Sequence, residues 1–473
     1  MFLGRENELK YLIDLKSDGY PRFVAIKGRR RIGKSRLIEE FSKEFSKKYL
    51  FTGLVPTPAT TKESQREEFI QQMVRQELPN IKGNDWSEIF FELSKKTKKG
   101  SVLIALDEIA WMGSKDADFL GKLKIAWDQF FEKNSKLVLV VASSVSSWID
   151  KNILNSTGFF GRVDLTLTLE ELSIKDCVKF WKDRQESVSS HEKLKMLAVT
   201  GGVPKYLEMI NPKISTEENI RKLCFLKSGL LFNEFERIFH DLFSRRSETY
   251  KKIVLALSNH HSMSQEEISK EIGIRSGKTF SDYLKDLSEA GFISADFSWD
   301  IKSARMSKLR KYRLSDNYLR FYLKYVEPHK QKILKGDFEN ASPANIIHWD
   351  AIMGLQFENL VIRNRRELLK VLEISPENCT CDGPFFQTKT AERKGCQIDY
   401  LIQEKNTLFV CEIKFSKNPI GAQVIEEVKK KIEALAVPKH ISYRPVLIHV
   451  GGVVDEVLYR NYFDKIIDWT ELL

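Results

Sequence analysis

Several features that would place the chain in a membrane-bound or secreted class are scarce in it. Its 473 residues contain no apolar run near the roughly 20 residues that a membrane-spanning helix needs. Six cysteines are too few for the disulfide framework of a small secreted protein. The first six residues already include an acidic side chain and lack the layout of a signal peptide. We therefore expect a cytoplasmic protein without membrane contact.

The composition is that of a globular protein with several domains. Hydrophobic residues make up 42% and charged residues 30% of the chain, a balance that excludes disordered and fibrous classes. The length is typical of about three domains. The net charge is +11, and residues 245–335 hold 19 basic against 11 acidic residues. Such a basic region favours a polyanionic partner such as nucleic acid, although basic surfaces also occur for solubility alone.

Hydrophobic patterning divides the chain into three regions. In the first, up to about residue 210, short apolar strands alternate with helical patterns, which predicts a parallel sheet covered by helices. Its strands are expected at 22–27, 49–54, 101–106, 137–142 and 162–167. Residues 215–335 are mostly helical, and the segment 334–349, which contains Gly, Asn, Ser and Pro, is the expected linker. The last region is expected to have a helix from about 350, strands near 385–388, 398–402 and 407–415, a helix near 420–436 and a strand near 442–450.

Residues 28–35, Gly-Arg-Arg-Arg-Ile-Gly-Lys-Ser, form a complete Walker A pattern between an expected strand and an expected helix. The two glycines let backbone N–H groups turn toward phosphate oxygens, and the helix N-terminus adds partial positive charge. Lys34 is expected to reach the β- and γ-phosphates, and Ser35 to offer its hydroxyl to Mg²⁺. The nucleotide-binding residues expected here are Gly28, Arg31, Ile32, Gly33, Lys34, Ser35 and Arg36.

A second motif stands about 70 residues later, where the apolar run 102–106 ends in Asp107 and Glu108. Asp107 is expected to hold the Mg²⁺ through water. Glu108 is expected to orient or deprotonate the attacking water. An apolar strand that ends in acids is a weak signal alone, but its position after a Walker A segment strengthens it.

Two further segments could contact the nucleotide, and a third predicts only a loop. Ser143 and Ser144 end the next expected strand, where they could lie beside the γ-phosphate or simply cap the strand. Arg162 precedes another strand and could stabilise transition-state charge in its own or a neighbouring chain, or form an ordinary surface ion pair. Residues 200–204 predict a helix stop and a restart at Pro204.

These segments occur in the order found in archaeal-type P-loop ATPases, which are similar to the AAA+ and STAND groups. The sequence resembles that family over roughly residues 1–330, through 2–9, the Walker A segment, 107–111, Ser143-Ser144, Gly161-Arg162 and 201–204. The resemblance implies ATP as the nucleotide, Gly4 and Arg5 near the adenine, and Pro204 near the base. It also implies that Arg162 is a sensing or finger arginine.

Residues 247–314 have the pattern of a winged helix-turn-helix. Three helices are expected, and Ser264 and Glu267 form a capping box at the second. Two strands near 292–297 and 308–314 would frame the wing. Such a module can place its third helix in a DNA groove and its wing on phosphates, or serve only in packing and protein contacts. The candidate DNA contacts are Lys278 and Lys285 on the third helix, and Arg305, Lys308, Arg310 and Lys311 near the wing tip.

The C-terminal region carries a second set of chemical groups. Glu412 and Lys414 lie two residues apart on an expected strand and therefore share a face. A hairpin turn at 403–406 brings Asp399 of the preceding strand beside them, and Glu358 is one acid in an otherwise apolar helical stripe. Carboxylates with a lysine can bind Mg²⁺ and stabilise the charge of phosphodiester hydrolysis.

This set resembles the PD-(D/E)XK restriction-like nuclease superfamily across about residues 350–460, with Gln397-Ile398-Asp399 in place of the proline–aspartate. It resembles more narrowly the nuclease-like domain appended to archaeal-type ATPases. The resemblance implies that Asp399 and Glu412 bind Mg²⁺ or Mn²⁺, that Lys414 positions the water or the scissile phosphate, and that Glu358 supports the metal. A catalytically silent fold that only binds is the alternative.

Other side chains that often bind metals lack a suitable pattern. Cys379, Cys381, Cys396 and Cys411 do not have the paired spacing of a zinc site and are expected to be buried free thiols. The pair His260-His261 has no matching ligands and is expected in a loop.

The sequence thus predicts an α/β protein in three domains. These are a P-loop ATPase domain at 1–212, a helical lid with a winged helix at 213–335, and a restriction-endonuclease-like domain at 350–473. The expected function is ATP-controlled, metal-dependent cleavage of DNA. A STAND-like nucleotide-dependent switch and a winged-helix DNA-binding regulator are the alternatives. A homo-oligomer is needed only if Arg162 acts on a neighbouring chain.

Overall fold

The computed structural model describes residues 2–243, 247–389, 394–435 and 437–473. The chain divides into two compact units, Met1–Glu170 and Glu171–Leu473. No helix in the described ranges is both long enough and apolar enough to cross a membrane.

The first unit is built on a five-stranded parallel sheet, as predicted. The strand order is β2-β3-β4-β1-β5. The strands are β1 (Arg22–Lys27), β2 (Lys47–Thr52), β3 (Val102–Asp107), β4 (Leu137–Ser143) and β5 (Leu165–Thr168). The helices are α1 (Glu6–Ser17), α2 (Lys34–Phe41), α3 (Lys62–Arg75), α4 (Trp86–Thr97), α5 (Ile109–Met112), α6 (Phe119–Gln129) and α7 (Ser146–Ile149).

Both faces of this sheet are buried, which explains why its central strands are nearly continuous apolar runs. Along β1, Phe23 and Ala25 belong to a core shared with α3, α4 and α6. Val24 and Ile26 face the opposite way, into a core shared with α1 and α2. Because the strands are parallel, the loops after β1, β3 and β4 leave from the same edge of the sheet.

The second unit begins with helices and one hairpin. The helices are α8 (Ile174–Val178), α9 (Ser190–Thr200), α10 (Pro204–Leu207), α11 (Thr216–Cys224), α12 (Leu230–Phe243), α13 (Ser247–Ser258), α14 (Gln265–Ile272) and α15 (Lys278–Glu289). The hairpin consists of β6 (Ile293–Asp300) and β7 (Arg305–Leu314), and the helices α16 (Asn317–Phe321) and α17 (Lys330–Lys335) follow it. The predicted restart at Pro204 is confirmed, since Pro204 is the first residue of α10.

The region 247–314 contains the three helices and the hairpin in the predicted order. The capping box at the start of α14 is present, with Ser264 and Glu267 each bonded to the other's backbone N–H. Gly273 ends α14 with a φ of +70°, a conformation that favours glycine. The assignment of this region as a winged helix stays a prediction.

The second unit ends in a separate mixed sheet of order β12-β11-β10-β9-β8. Its strands are β8 (Cys379–Gln387), β9 (Cys396–Glu404), β10 (Thr407–Phe415), β11 (Ser442–Val450) and β12 (Lys465–Asp468). Its helices are α18 (Trp349–Arg363), α19 (Arg365–Val371), α20 (Gln423–Leu435) and α21 (Asp455–Tyr459). Strands β8, β9 and β10 are antiparallel, whereas β10, β11 and β12 are parallel. The strand predicted at 385–388 begins earlier, at Cys379, and β12 was not predicted.

The hairpin and the C-terminal sheet share one hydrophobic core. Trp299 and Ile301 of the hairpin belong to the same buried cluster as Phe385, Leu401 and Leu408 of the sheet. Polar contacts reinforce this packing: Trp299 Nε1 donates to Gln403 Oε1 at 2.8 Å, and Ser298 Oγ donates to the Phe386 carbonyl at 2.6 Å. The segment 334–349 therefore connects two parts that pack together, and the three domain bounds stay predictions.

Replacing Trp299 with alanine tests this shared core. Trp299 is 4% exposed, and truncation of such a residue costs about 3–5 kcal/mol of the free energy of unfolding. We expect Trp299→Ala to lower the midpoint of urea unfolding followed by circular dichroism. Met306 lies opposite Trp299 in the hairpin but is 58% exposed. Met306→Ala should therefore leave the midpoint nearly unchanged, and equal shifts in the two variants would contradict the shared core.

Candidate functional sites

The loop between β1 and α2 has the backbone that a phosphate cradle requires. Gly28 has a φ of +150°, and a Cβ there would lie 2.5 Å from the Leu169 carbonyl oxygen. Gly33 caps α2 with a φ of +97°. Glycine is needed at both positions, at Gly28 for space and at both for the conformation. The loop thus leads directly into the N-terminus of α2, where backbone N–H groups favour the binding of phosphate.

Lys34 lies inside this loop. Its ammonium group donates to the carbonyl oxygens of Gly28 and Arg29, at 2.9 and 3.1 Å. Burial lowers the pKa of Lys34, an effect that the nearby carboxylates of Glu108 and Asp107 oppose. The ammonium is therefore held at the position in the loop where phosphate charge would compensate its desolvation.

Ser35 and Asp107 come together at the carboxyl edge of the sheet. Ser35 Oγ donates to Asp107 Oδ2 at 2.5 Å, and the other carboxylate oxygen accepts the backbone N–H of Glu108 at 2.9 Å. A hydroxyl next to a carboxylate is an all-oxygen donor set, the kind that Mg²⁺ prefers. These two residues therefore fit the magnesium role that the sequence assigns to them.

Glu108 is held by the end of the neighbouring strand. It adopts a left-handed backbone conformation with a φ of +50°. Its Oε2 accepts hydrogen bonds from the backbone N–H and the hydroxyl of Ser144, at 2.9 and 2.8 Å. Ser143 is fully buried, and its Oγ accepts the N–H of Val145 at 3.1 Å. Of the two serines, Ser144 is thus the one that contacts the candidate base.

Arg5 contacts the phosphate loop through hydrogen bonds. Its buried guanidinium donates to the carbonyl of Ile32 at 3.1 Å and to that of Glu170, and pairs with Glu8 at 2.8 Å. The preceding residue, Gly4, has a φ of +76°. The placement of Gly4 and Arg5 near the adenine stays a prediction, but Arg5 already has a role in holding the loop.

Three other residues predicted to contact nucleotide have defined contacts or positions within the protein. Arg162 makes a two-pronged ion pair with Asp128, at 2.7 and 2.9 Å, which lowers the pKa of Asp128 to about 2. Arg36 pairs with Glu39 at 2.5 Å on the surface of α2. Pro204 begins α10 in the second unit. Their contacts with nucleotide stay predictions.

In the C-terminal sheet, Asp399 and Glu412 converge on one lysine. Lys431 of α20 lies 3.3 Å from Asp399 Oδ1 and 2.5 Å from Glu412 Oε2. Lys414 lies 3.1 Å from the other Glu412 oxygen and 2.9 Å from Glu427. Two strands and one helix therefore bring the carboxylates of Asp399 and Glu412 together with the ammonium groups of Lys414 and Lys431.

A β-bulge positions Asp399. Leu401 pairs with Gly383 and Ile398 with Phe385, so that two residues of β9, Asp399 and Tyr400, lie opposite a single residue of β8. Such bulges redirect side chains. The second Asp399 oxygen accepts the backbone N–H of Ile413 at 2.9 Å, which ties the carboxylate to β10.

The charges in this cluster depend strongly on one another. Burial raises the pKa of Glu412 and the neighbouring Asp399 adds to the effect, while Lys431 and Lys414 oppose it. Burial acts to lower the pKa of Lys414, but the carboxylates of Glu427 and Glu412 outweigh it and raise this pKa to about 12. The cluster therefore favours a cation next to Glu412.

Glu358 is not in direct contact with this cluster. Its Oε2 lies 2.9 Å from Nε2 of His261, and His261 Nδ1 lies 2.9 Å from the side-chain nitrogen of Gln397, two residues before Asp399. The expected loop position of His260-His261 is confirmed, but His261 does have a partner. The sequence predicts no role at this site for His261 or Lys431. Lys431 lies four residues after Glu427 on α20, a spacing that puts both side chains on one face of the helix. No pattern in the sequence marks His261.

The predicted DNA-contact residues fall into two groups. Lys278, Lys285, Arg305 and Lys308 are exposed. Arg310 and Lys311 are half-buried, the first over the rings of Phe297 and Tyr312 and the second 5.4 Å from the ring centre of Phe386. Their predicted place at the wing tip is wrong, because they pair with Phe297 and Asp296 well before the turn that follows Asp300.

Three of the four C-terminal cysteines are less buried than predicted. All six thiols are free; Cys411 is buried, whereas Cys379, Cys381 and Cys396 are only half-buried. Within the part of the chain that the structure describes, no three His, Cys, Asp or Glu side chains come together as a metal site. At the C-terminal cluster a metal would thus have two carboxylate ligands from the described residues.

Comparisons with known proteins agree with the geometry of the first unit. Residues 2–210 match a family described as an ATPase domain predominantly from Archaea. The uncharacterized protein MJECL04 of Methanocaldococcus jannaschii is 24% identical over 457 residues, which cover 94% of this chain and 95% of that protein.

One solved structure is similar in fold, and a second matches with a lower score. The Walker-type ATPase PABY2304 of Pyrococcus abyssi has a TM-score of 0.53 and 17% identity, over 68% of this chain and 96% of that one. The ORC2 protein of Aeropyrum pernix, in complexes with ADPNP and ADP, has a TM-score of 0.42 and 15% identity, over 70% of this chain and 94% of that one. The chain thus carries an archaeal-type ATPase domain with a P-loop ATPase fold.

Exchange of Glu108 for glutamine tests its place in ATP hydrolysis. The amide keeps the shape and can still accept from Ser144, but it cannot take a proton from water. We expect nucleotide binding to be retained and ATP turnover to fall by about 10²–10⁴-fold. Fluorescent-nucleotide binding and phosphate release would measure the two effects. Glu88→Gln, an exposed change on α4, serves as the control, and normal turnover by Glu108→Gln would contradict the role.

Proposed function

We propose that this protein binds and hydrolyses ATP in its first unit and, under the control of that cycle, cleaves phosphodiester bonds of DNA at its C-terminal site. The ATPase domain carries the first part of the proposal. One observation carries the second: Asp399 and Glu412, from neighbouring strands, bind the same ammonium group of Lys431.

In the ATP site, each residue has a role that follows from its surroundings. The N–H groups of residues 28–33 and the ammonium of Lys34 bind the phosphates. Ser35 and Asp107 would hold Mg²⁺, which would neutralise charge on the phosphates. Glu108, fixed by Ser144, orients the attacking water and accepts its proton. Arg162 would stabilise charge at the γ-phosphate in the transition state.

In the C-terminal site, the chain supplies ligands and charge. The ion pairs of Lys431 with both carboxylates support a cation site there, at which Asp399 and Glu412 would hold Mg²⁺ or Mn²⁺. The metal would provide a nucleophilic water and neutralise phosphoryl oxygen charge. Lys414, beside Glu412, would orient the water or the scissile phosphate, and Glu358 on α18 would support the metal.

The basic region supplies the electrostatic attraction for DNA. Lys278, Lys285, Arg305 and Lys308 are exposed on α15 and the hairpin, where they can bind backbone phosphates. Such contacts carry little sequence information but make binding strongly dependent on salt. The hairpin packs on the C-terminal sheet through Trp299, so DNA held along the hairpin lies on the same unit as the carboxylates.

A second function is favoured by one feature of the same site. The described residues offer a metal only two carboxylates, and Lys431 already forms an ion pair with each of them. A site of this kind can bind nucleic acid without cutting it. The protein would then act as a STAND-like nucleotide-dependent switch or as a winged-helix DNA-binding regulator.

Plasmid cleavage with Mg²⁺ or Mn²⁺, with and without ATP, decides between the two functions. Glu412→Gln removes a ligand but keeps the shape, and we expect the rate of cutting to fall more than about 100-fold, beyond the usual loss of a supporting contact. Glu426→Gln is the matched control, since Glu426 lies on the exposed side of α20 and pairs with Lys429.

Lys34→Ala in the same assay tests the control by ATP. We expect this variant to lose ATP binding and, with it, any change in cutting that ATP causes in the wild type. Binding of DNA without cutting under either metal would exclude the nuclease and leave the switch or regulator. Equal cutting by Glu412→Gln and the wild type would place the activity elsewhere.

A further inference from the structure

We propose that His261 is a positioning residue of the C-terminal site, which orients the Glu358 carboxylate for metal-dependent hydrolysis. The inference rests on the proposed nuclease function and adds to it a residue from a different part of the chain. His261 lies in the turn between α13 and α14, 97 residues before Glu358. The site would therefore include the helical module that precedes it.

The hydrogen bonds around His261 define its tautomer. The side-chain nitrogen of Gln397 lies 2.9 Å from Nδ1 of His261. An amide nitrogen can only donate, so Nδ1 accepts, and the proton of the neutral ring is on Nε2. Nε2 then donates to Glu358 Oε2 at 2.9 Å. The ring is thus fixed on both sides, by a residue of β9 and by a residue of α18.

One carboxylate oxygen of Glu358 is not bonded to His261. Its side chain is 9% exposed, and among the described residues Oε1 is buried and has no hydrogen-bond partner. A buried carboxylate oxygen without a partner is costly, and such exceptions need an explanation. A metal-bound water or a cation at the site would satisfy it. Because His261 is bonded to Oε2, Oε1 is the oxygen that would contact the cation or its water.

The surroundings hold this arrangement in place. The backbones of Met263 and Tyr312 exchange two hydrogen bonds, at 2.9 and 2.7 Å, which fix the turn that carries His261. Arg363 of α18 donates to the Ser315 carbonyl at 2.9 Å, so the helix of Glu358 is tied to the residue after β7. Two anchored segments therefore meet at the imidazole.

Buried positive charge lies close to Glu358. Burial acts to lower the pKa of the Arg313 guanidinium, but Asp296 and Glu358 outweigh it and raise this pKa. Arg313 pairs with Asp296 at 3.1 Å and bonds to the side chain of Asn359, next to Glu358 in α18. A buried guanidinium and the Glu358 carboxylate therefore lie close together beside α18.

The adjacent histidine provides a matched control. His260 pairs with Glu271 of α14 at 3.0 Å, and none of its described contacts reaches the C-terminal site. Both side chains are partly exposed, 46% for His260 and 32% for His261, so neither truncation should affect folding strongly. Any difference between the two variants then reports on the contact with Glu358.

The experiment compares His261→Ala, His261→Gln and His260→Ala in the full chain. In DNA cleavage, we expect kcat of His261→Ala to fall about 10–100-fold, the usual cost of removing a partner of a metal-binding group, with KM for DNA nearly unchanged. His261→Gln keeps an N–H donor near the place of Nε2 and should recover most of kcat. His260→Ala should match the wild type, and melting temperatures should agree for all four proteins.

A second readout separates this inference from the nuclease proposal. Calorimetric titration with Mn²⁺ alone should show weaker binding for His261→Ala than for His260→Ala. If the wild type binds Mn²⁺ but cuts nothing, the nuclease proposal fails, and the titration still tests His261. Normal kcat and normal Mn²⁺ affinity in His261→Ala would overturn the positioning role, and so would a wild type that neither cuts DNA nor binds Mn²⁺.

Discussion

The chemistry of the first unit depends on the burial of both faces of one parallel sheet. Residues such as Phe23 and Val24 pack in opposite directions, and the sheet edge between the two helical layers collects the ends of β1, β3 and β4. Lys34, Asp107 and Ser144 are brought together by this constraint, not by attraction among themselves. The ion pairs and hydrogen bonds of the site refine positions that the apolar core has already set.

In the second unit the corresponding constraint is the core shared by the hairpin and the C-terminal sheet. With Trp299 packed beside Phe385, β6 lies along β8 and the turn after α13 comes near α18. The carboxylates of the C-terminal site then have neighbours from two parts of the chain. Such a site is preorganised by packing, which is the usual way that proteins keep charged groups in a defined geometry.

Local patterns in the sequence predict much of this structure. The apolar runs gave strands at 22–27 and 407–415 with the observed bounds, and the glycine and lysine spacing of the Walker A segment located the phosphate loop. The short hairpin predicts that Asp399 lies close to Glu412, and both carboxylates contact Lys431. These features depend on neighbours in sequence, so periodicity and spacing are sufficient to find them.

The features that depend on distant neighbours could not be predicted in this way. The position of β4 between β1 and β3 is a matter of topology, and the bulge at Asp399 depends on β8. Arg310 and Lys311 looked like free wing cations, but rings of Phe297 and Phe386 cover them. No motif marks His261, because its contact with Glu358 joins two positions 97 residues apart in the sequence.

The core around Trp299 also limits where the chain can be cut into fragments and where its gene can be fused or shortened. A break in the segment 334–349 would leave Trp299 and Ile301 uncovered on one fragment and Phe385 on the other. Exposed apolar surface of this kind promotes aggregation, so neither fragment is a sound candidate for independent expression. Gene fusion or loss at this point would carry the same penalty. The hairpin and the C-terminal sheet should therefore be gained and lost together, and substitutions on one side of their contact should be compensated on the other.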